Sequence, residues 1–203
     1  MSYDIELKDP VTKETIELPI KHLMIGGTFA ADYDERTGRF TPKPVSEAHL
    51  NITYNYADYY YDAAEGDDRF FGKRPDDYED EEPRELGIRG IYGKTGAESI
   101  PMLKDLIQRI ESKYKKNGEW ITTTREVVKY FDSLGNELDD VELLSNSYLD
   151  KGNGKYHKKE CTKEVSEAPN RDYWEATAGN AIRPLYQLIA MAELRPDGIW
   201  DGD

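Results

Sequence analysis

The sequence predicts an α+β fold: one antiparallel β-rich domain over residues 1–203, with two main amphipathic helices at about 96–116 and 178–194. Apolar residues recur at helical spacing after Thr95 and again after Thr177. In several other segments, polar and apolar residues alternate with the period of a β-strand. A β-rich segment precedes each helix, and this order favours the α+β class.

The two helices are defined by their apolar stripes and their end signals. The first stripe consists of Leu103, Leu106, Ile107, Ile110 and Tyr114. The second consists of Ile182, Leu185, Leu188, Ile189 and Ala192. We expect the first helix to end near Asn117-Gly118 and the second to end before Arg195-Pro196, because Gly and Pro terminate helices.

The starts of the two helices resemble each other. Residues 95–107 align without gaps on residues 177–189, each with a threonine, small residues, a polar side chain and then apolar positions. An ancient internal duplication would explain the similarity. Capping rules alone would also explain it, since many helices begin with such residues, and both interpretations stay open here.

Alternation predicts the strands. Ile5 and Leu7, then Ile16 and Leu18, indicate an antiparallel hairpin around the turn at 9–13. In the segment 48–56, Ala48, Leu50, Ile52 and Tyr54 share one face, and His49, Asn51, Thr53 and Asn55 share the other. We expect Tyr59-Tyr60-Tyr61 to continue this strand.

The remaining segments are predicted from composition. Residues 23–31 contain Gly26-Gly27 and indicate a strand with a bend. Residues 120–131 favour a strand, followed by a second strand toward Leu144. Residues 64–86 are acidic and lack periodicity, which predicts a loop or mobile segment. Residues 150–170 are expected to form a loop, and the acidic C-terminal residues a frayed end.

Charge and composition exclude some functional classes. The net charge is −14, from 41 acidic and 27 basic residues, so long-range electrostatics disfavour direct binding of nucleic acid or anionic membranes. Neither a signal peptide nor an apolar run of membrane-spanning length is evident, and Cys161 is the single cysteine. We therefore expect a cytoplasmic protein, located in the host cell if it is phage-borne.

The stretch 87–96, Gly-Ile-Arg-Gly-Ile-Tyr-Gly-Lys-Thr-Gly, partly matches the phosphate-binding pattern G-x-x-x-x-G-K-[ST]. Its first glycine is displaced, because Ile88 occupies the required position. The looser interpretation is an anion site at a helix N-terminus, with Arg89 and Lys94 supplying positive charge. The alternative is structural: Thr95 and Glu98 would form a capping box, and the Glu98 carboxylate would oppose an anion.

Signals for catalysis or a metal cofactor are weak, so we name no catalytic residue, no metal ligand and no cofactor. His157 and Cys161 are four residues apart without a second pair of ligands, and the C-terminal aspartates do not match a calcium loop. The histidines, three in all, lie in unlike contexts without an evident partner. The sequence therefore favours a protein that is not an enzyme, although it does not decide this.

The stretches Gly87–Pro101 and Asn180–Asp203 resemble segments of uncharacterised proteins of bacterial phages and prophages. These stretches make up 39 of the 203 residues, and the similarity carries no activity. It implies a setting in mobile elements, where small acidic proteins often counter host defence.

The sequence thus predicts a non-enzymatic, phage-type binding protein that sequesters a nucleotide-like small ligand or blocks a host defence factor. We expect the ligand site in a recess shared by both helix N-termini and the tyrosine-bearing strand. Its candidate residues are Arg89, Lys94, Thr95, Gly96, Asn180 and Arg183, with Tyr54 and Tyr56 as stacking groups. One alternative is an acidic nucleic-acid mimic that inhibits a basic host protein through residues 64–86; another is an enzyme acting on a phosphorylated or nucleotide substrate. Homo-oligomerisation stays open.

Overall fold

The computed structural model describes residues 2–24, 31–75, 77, 81–139 and 156–203. Within them the fold is α+β, as predicted. The helices are α1 (Ala57–Ala64), α2 (Gly96–Tyr114) and α3 (Ala178–Leu194). The strands in the first half are β1 (Ser2–Lys8), β2 (Glu17–His22), β3 (Ala31–Asp34), β4 (Arg39–Pro42), β5 (Val45–Glu47), β6 (His49–Thr53), β7 (Phe71–Gly72) and β8 (Arg84–Glu85). Those in the second half are β9 (Lys115–Lys116), β10 (Glu119–Trp120), β11 (Thr122–Asp132), β12 (Glu137–Leu138), β13 (Tyr156–Ser166) and β14 (Ile199–Gly202).

The described chain divides into two compact units. Unit 1 comprises Met1–Ile121 and Glu167–Asp203, and unit 2 comprises Thr122–Ser166. Unit 2 contains the antiparallel pair β11–β13, with β12 on the other side of β11. All the site residues predicted from the sequence lie in unit 1.

The core of unit 1 lies around a three-stranded antiparallel sheet of order β14-β1-β6. Alternate residues of β1 are fully buried, namely Tyr3, Ile5 and Leu7. They are joined in the core by Leu50 and Ile52 of β6, and this confirms the face predicted for that strand. Burial of such side chains contributes about 1.5–3 kcal/mol each to folding.

Helices α2 and α3 pack against each other in an antiparallel arrangement. The N-terminus of α2 meets the C-terminal end of α3, since the Gly96 and Ala97 amides donate to Gly198 O and Pro196 O at 2.8 and 3.0 Å. A Cβ atom at Gly96 would lie 2.7 Å from Arg195 O and 3.2 Å from the Ala192 Cα. The absence of a side chain at Gly96 therefore allows the helices to approach closely.

The helices are confirmed with one shift of a boundary. Helix α2 ends at Tyr114, before Asn117-Gly118, which instead forms the turn between β9 and β10. Asn117 and Gly118 have φ angles of 53° and 84°, as required by a tight hairpin turn of this kind. The helix thus ends close to the predicted position, and Asn117-Gly118 reverses the chain just beyond it.

The antiparallel hairpin predicted around residues 9–13 is only partly confirmed. The chain reverses there, and Lys8 and Thr15 form an isolated antiparallel bridge, flanked by hydrogen bonds from the Asp9 amide to Glu14 O and from the Ile16 amide to Leu7 O, but β1 and β2 do not pair as strands. Strand β1 pairs instead with β6 and β14, and β2 pairs with β5. Alternation identifies the buried face of a strand but not its partner.

Tyr59-Tyr60-Tyr61 lies in α1 and does not extend β6. The buried residues Tyr56, Tyr59, Tyr60, Ala63 and Ala64 follow the spacing i, i+3, i+4, i+7, i+8 of an amphipathic helix. This spacing is visible in the sequence, and the three consecutive tyrosines obscured it.

The later strands also differ from expectation. Residues 156–166 form β13 and not a loop, and residues 199–202 form β14 and not a frayed end. The strand predicted at 120–131 is present as β11 over 122–132, with Trp120 in the separate short strand β10. Most of the strand expected at 23–31, the chain from 140 to 155 and residues 76 and 78–80 of the acidic segment lie outside the described residues.

Candidate functional site

The recess that we expected between the two helix N-termini is not formed. Because α2 and α3 are antiparallel, their N-termini lie at opposite ends of the pair. A helix of 19 residues, the length of α2, spans about 28 Å. The eight predicted site residues consequently fall into three separate groups.

The first group, Lys94, Thr95 and Gly96, lies at the start of α2. Here the structural alternative is confirmed: the Glu98 amide donates to Thr95 Oγ1 at 3.2 Å, and the Thr95 amide donates to the Glu98 carboxylate at 2.8 Å. The Thr95 amide and the Thr95 hydroxyl both donate to the Glu98 carboxylate and hold the pKa of Glu98 below its usual range. The first turn of α2 therefore already has an anionic partner, and its N-terminus is not open to an anionic ligand.

The second group, Asn180, Arg183 and Tyr56, holds the loop between β13 and α3. The buried Asn180 side chain accepts from the Asn170 amide at 3.0 Å and donates to Asp172 O and Glu175 O, both at 3.0 Å. Arg183 donates to Asn170 O at 3.0 Å, and the Tyr56 hydroxyl donates to Tyr173 O at 2.5 Å. Burial raises the pKa of Tyr56 to about 12, despite the nearby charge of Arg183. These contacts are internal to the fold.

The start of α3 is also occupied by internal contacts. The Ala178 and Gly179 amides donate to Glu167, through its Oε2 atom and its main-chain oxygen, both at 2.8 Å. The Asn180 amide donates to Thr177 Oγ1 at 3.1 Å. A buried carboxylate therefore occupies the position at which an anionic ligand would bind.

The third group, Arg89 and Tyr54, borders a surface depression of about 250 Å³. Arg89 contributes to its lining, and the centre of the Arg89 guanidinium lies 5.6 Å from the Tyr54 ring and 4.5 Å from the Tyr3 ring. Arg89 Nε donates to Asp203 O at 2.7 Å. The lining residues are Tyr61, Arg74, Arg84, Glu85, Leu86 and Arg89. We call this feature the arginine depression.

Three guanidinium groups thus line one small depression in a chain of net charge −14. Sequence reasoning found Arg89 but missed Arg74, Arg84 and Tyr61. The signal was present, because Arg74 and Arg84 lie within a segment that otherwise carries mostly acidic charge. We interpreted that segment only through its carboxylates.

The tyrosines beside the arginine depression are kept protonated. Burial is the main cause that raises the pKa values of Tyr3, Tyr61 and Tyr92, and neighbouring phenols add to it at Tyr3 and Tyr61. Their hydroxyl groups therefore stay neutral at physiological pH.

Glu85 Oε2 is buried and accepts no hydrogen bond from any residue that the structure describes. A buried acceptor of this kind usually has a donor in a water molecule or a ligand.

Several carboxylates in and just before the acidic segment are neutralised internally. Asp67 pairs with Arg69 and Arg109, each at 2.7 Å, and Asp77 pairs with Arg84 at 2.7 Å. Asp62 pairs with Lys113 at 2.6 Å. Such pairs weaken the negative field that residues 64–86 can offer to a basic partner.

A second depression, of about 330 Å³, has the opposite charge. Four carboxylates, from Asp4, Glu6, Glu17 and Glu47, line it together with Thr15 and His49. Some of these groups have internal partners, including Lys8, which lies 3.0 Å from Glu6. We call this feature the acidic depression.

Within the described ranges, the histidine, cysteine and acidic side chains form no group of three or more that could hold a metal ion. The helices described here include none that is long and apolar enough to cross a membrane. Comparisons with protein-family models, with curated proteins and with solved structures gave no match. The proposals below are therefore based on the geometry of the chain itself.

Proposed function

We propose that this chain is a non-enzymatic binding protein that holds a small, anionic, nucleotide-like ligand in the arginine depression. One observation carries the proposal: three arginines converge beside tyrosine rings in a strongly acidic protein. Clustered arginines of this kind recognise phosphate and carboxylate groups through several parallel hydrogen bonds. A ligand sequestered here would fit the phage-type role expected from the sequence.

The size and lining of the arginine depression limit the ligand. A volume of about 250 Å³ is slightly below the usual range for drug-sized ligands, which favours a small molecule. The Tyr61 ring offers a face for stacking a planar group, and Glu85 offers an acceptor for an N–H donor. A nucleoside monophosphate combines these three features: anion, planar base and N–H groups.

Calorimetric titration with nucleoside monophosphates tests this function. We expect binding by the wild-type chain and a loss of affinity of about tenfold or more in Arg89→Ala, because each charge-assisted hydrogen bond contributes about 1.5–3 kcal/mol. The matched control is Lys94→Ala. Lys94 is an exposed cation that the sequence also suggested as a ligand contact, but it does not line the arginine depression. Ligand-free melting is recorded first, since Arg89 also contacts Tyr3.

Equal losses in Arg89→Ala and Lys94→Ala would argue against the arginine depression, and absence of binding by the wild type would refute the proposal. Chromatography of the nucleotide after incubation distinguishes binding from turnover. A converted nucleotide would favour the enzymatic alternative.

The acidic depression supports a second candidate function, inhibition of a basic partner protein. Its carboxylates lie in three strands of unit 1: Asp4 and Glu6 in β1, Glu17 in β2 and Glu47 in β5. A concave acidic surface attracts lysine and arginine side chains and steers their approach. The residues that would carry a decoy function are thus Asp4, Glu6, Glu17 and Glu47, in addition to residues 64–86.

A lysine-rich peptide is the probe for this second function. We expect Glu47→Gln to weaken peptide binding several-fold at low salt, whereas Glu193→Gln, an exposed charge on α3 paired with Lys104 at 3.8 Å, serves as the control. Deleting residues 65–85 would not test this function cleanly, since it would also remove Arg74 and Arg84. Identical peptide affinity in both variants would argue against the acidic depression.

A further inference from the structure

We propose that the Asp77 carboxylate, which binds Arg74 and Arg84 of the lining, holds the position that the anionic group of the ligand takes on these arginines, and that it competes with the ligand for them. This inference rests on the proposed small-ligand function and extends it. It assigns the anion position within the arginine depression and gives one residue of the acidic segment a role in setting ligand affinity.

Three N–H groups converge on the Asp77 carboxylate. Arg84 Nη2 and Arg74 Nε donate to Oδ1 at 2.7 and 3.2 Å, and the main-chain amide of Arg74 donates to Oδ2 at 2.7 Å. Convergent guanidinium and amide donors are the usual means by which proteins bind carboxylate and phosphate groups. Asp77 therefore has the surroundings of a bound anion.

The exposure of the partners supports this interpretation. The Asp77 side chain is 1% exposed, whereas the Arg74 and Arg84 side chains are 22% and 41% exposed. The arginines thus enclose the carboxylate and still reach the depression that they line. Burial alone would raise the pKa of Asp77, but the hydrogen bonds from Arg84 and Arg74 outweigh it and lower the pKa to about 2.

Other charged groups also face these arginines. Arg84 Nη1 donates to Glu81 at 2.8 Å, and Glu85 and Arg89 lie in the same lining. Glu81 is half-exposed and binds the far side of the Arg84 fork. Among the residues that the structure describes, Asp77 is the carboxylate that contacts both the Arg74 and the Arg84 guanidinium groups.

A phosphate monoester can displace this carboxylate because it has three acceptor oxygens and up to two negative charges, against two oxygens and one charge for Asp77. Because the carboxylate must first leave, the apparent affinity equals the intrinsic affinity multiplied by the fraction of molecules in which the position is vacant. Neutralising Asp77 should therefore strengthen binding. A residue that merely stabilises the site would have the opposite effect.

The test is calorimetric titration of wild-type, Asp77→Asn and Asp77→Ser chains with a nucleoside monophosphate, inorganic phosphate and the free nucleoside. We expect both variants to bind the two phosphate-bearing ligands about tenfold more tightly than the wild type. The free nucleoside should show no such gain, because it lacks the anion. Glu82→Gln, an exposed neutralisation in the same segment, controls for the general change in charge and should alter affinity less than about twofold.

Each outcome of this titration either supports the competition by Asp77 or overturns it. Unchanged or weaker phosphate binding in both variants, with binding by the wild type intact, would overturn the competition and leave the proposed function standing. An equal gain for the free nucleoside or in Glu82→Gln would also overturn it. Absence of binding by every chain would refute the proposed function as well. Loss of the folded state in both variants would show that Asp77 is needed structurally and would count against a displaceable carboxylate.

Discussion

At the scale of single residues, Asn180 is a buried amide that serves several partners at once. It accepts from the Asn170 amide and donates to the carbonyl oxygens of Asp172 and Glu175. The sequence placed it at a helix start and suggested a ligand contact, but a polar residue at such a position can serve either role. Deciding between them requires the path of the loop at 168–177, which local sequence does not give.

Replacing Asn180 with Ala should destabilise the fold by about 2–4 kcal/mol, because an amide and two carbonyl groups would lose their partner in a buried position. Urea unfolding followed by circular dichroism measures this change. Gln108→Ala on the exposed face of α2 is the amide-to-alanine control and should change stability by less than about 0.5 kcal/mol. Equal effects in both variants would contradict a structural role for Asn180.

Asp67 should make stability depend on pH. Hydrogen bonds from Arg69 hold the pKa of Asp67 well below its usual range, against the effect of burial. A carboxyl group with a depressed pKa in the folded state adds stability above its unfolded pKa of about 3.9, and this stability is lost as the pH falls toward the folded value. The Asp67 contribution should therefore be present at neutral pH and disappear in acid.

We expect Asp67→Asn to lower the free energy of unfolding by about 1 kcal/mol at pH 7, since the pair is partly screened by solvent. The difference from wild type should shrink as the pH falls below about 4, because the unfolded wild-type chain then gains a proton at Asp67 that the folded chain takes up only in stronger acid. Urea titrations between pH 7 and pH 2 measure it. Asp68→Asn, an exposed neighbour, is the control, and a difference that persists in strong acid would contradict the assignment.

At the scale of elements, the antiparallel helix pair determines which candidate residues can meet. The sequence predicted both long helices because their apolar stripes and end signals are local. Helix α1 was missed although its spacing is visible, and strand partners were missed because register and pairing are set by the whole sheet. No local feature of the sequence gives the direction of α3 relative to α2. Sequence alone therefore could not show whether the two helix N-termini share a recess.

Gly96 provides the test of this helix pair. In an isolated first turn, Gly96→Ala would stabilise a helix by about 0.5–1 kcal/mol. In the pair, the new Cβ would lie 2.7 Å from Arg195 O, so we expect a destabilisation of about 1–3 kcal/mol. The sign of the change in urea unfolding therefore reports whether the N-terminus of α2 abuts α3. Ala97→Ser, exposed at the next position, is the control.

At the scale of the whole molecule, unit 1 contains every predicted site residue and both depressions. Its chain is interrupted by unit 2, yet the Glu167 amide donates to Ile121 O at 2.9 Å. The two ends of the interruption therefore already lie together within unit 1. A short turn could connect them without moving the surrounding residues.

We accordingly expect unit 1 to fold when residues 122–166 are replaced by an Asn-Gly turn. Thermal unfolding should stay cooperative, because the core around β1, β6 and α3 is unchanged. The contrasting deletion removes residues 199–202 and with them Trp200, which is 1% exposed and whose indole N–H donates to Ser99 Oγ at 2.7 Å. That chain should lose its cooperative transition, and equal behaviour of both deletions would contradict the division into units.

Only some residues of the candidate site could be predicted from the sequence. Arg89 and Tyr54 could be identified because each lies in a recognisable local pattern. Arg89 lies in the glycine-rich stretch 87–96, and Tyr54 lies in the alternating segment 48–56. Arg74 and Arg84 could not be identified, because they reach the depression from a segment whose ion pairs form only in the fold. Net charge indicated an acidic protein correctly, but it could not show that acids and arginines would separate into two depressions of opposite sign.

The pairing of β1 with β14 has a consequence for biosynthesis. Residues 5–8 align with residues 199–202, so the strand translated first lacks one neighbour until the latest part of the sheet has left the ribosome. During that interval its open edge can attract other extended segments or a chaperone. Completion of the sheet should therefore follow translation of residues 199–202, and nascent chains arrested before that point should remain sensitive to protease.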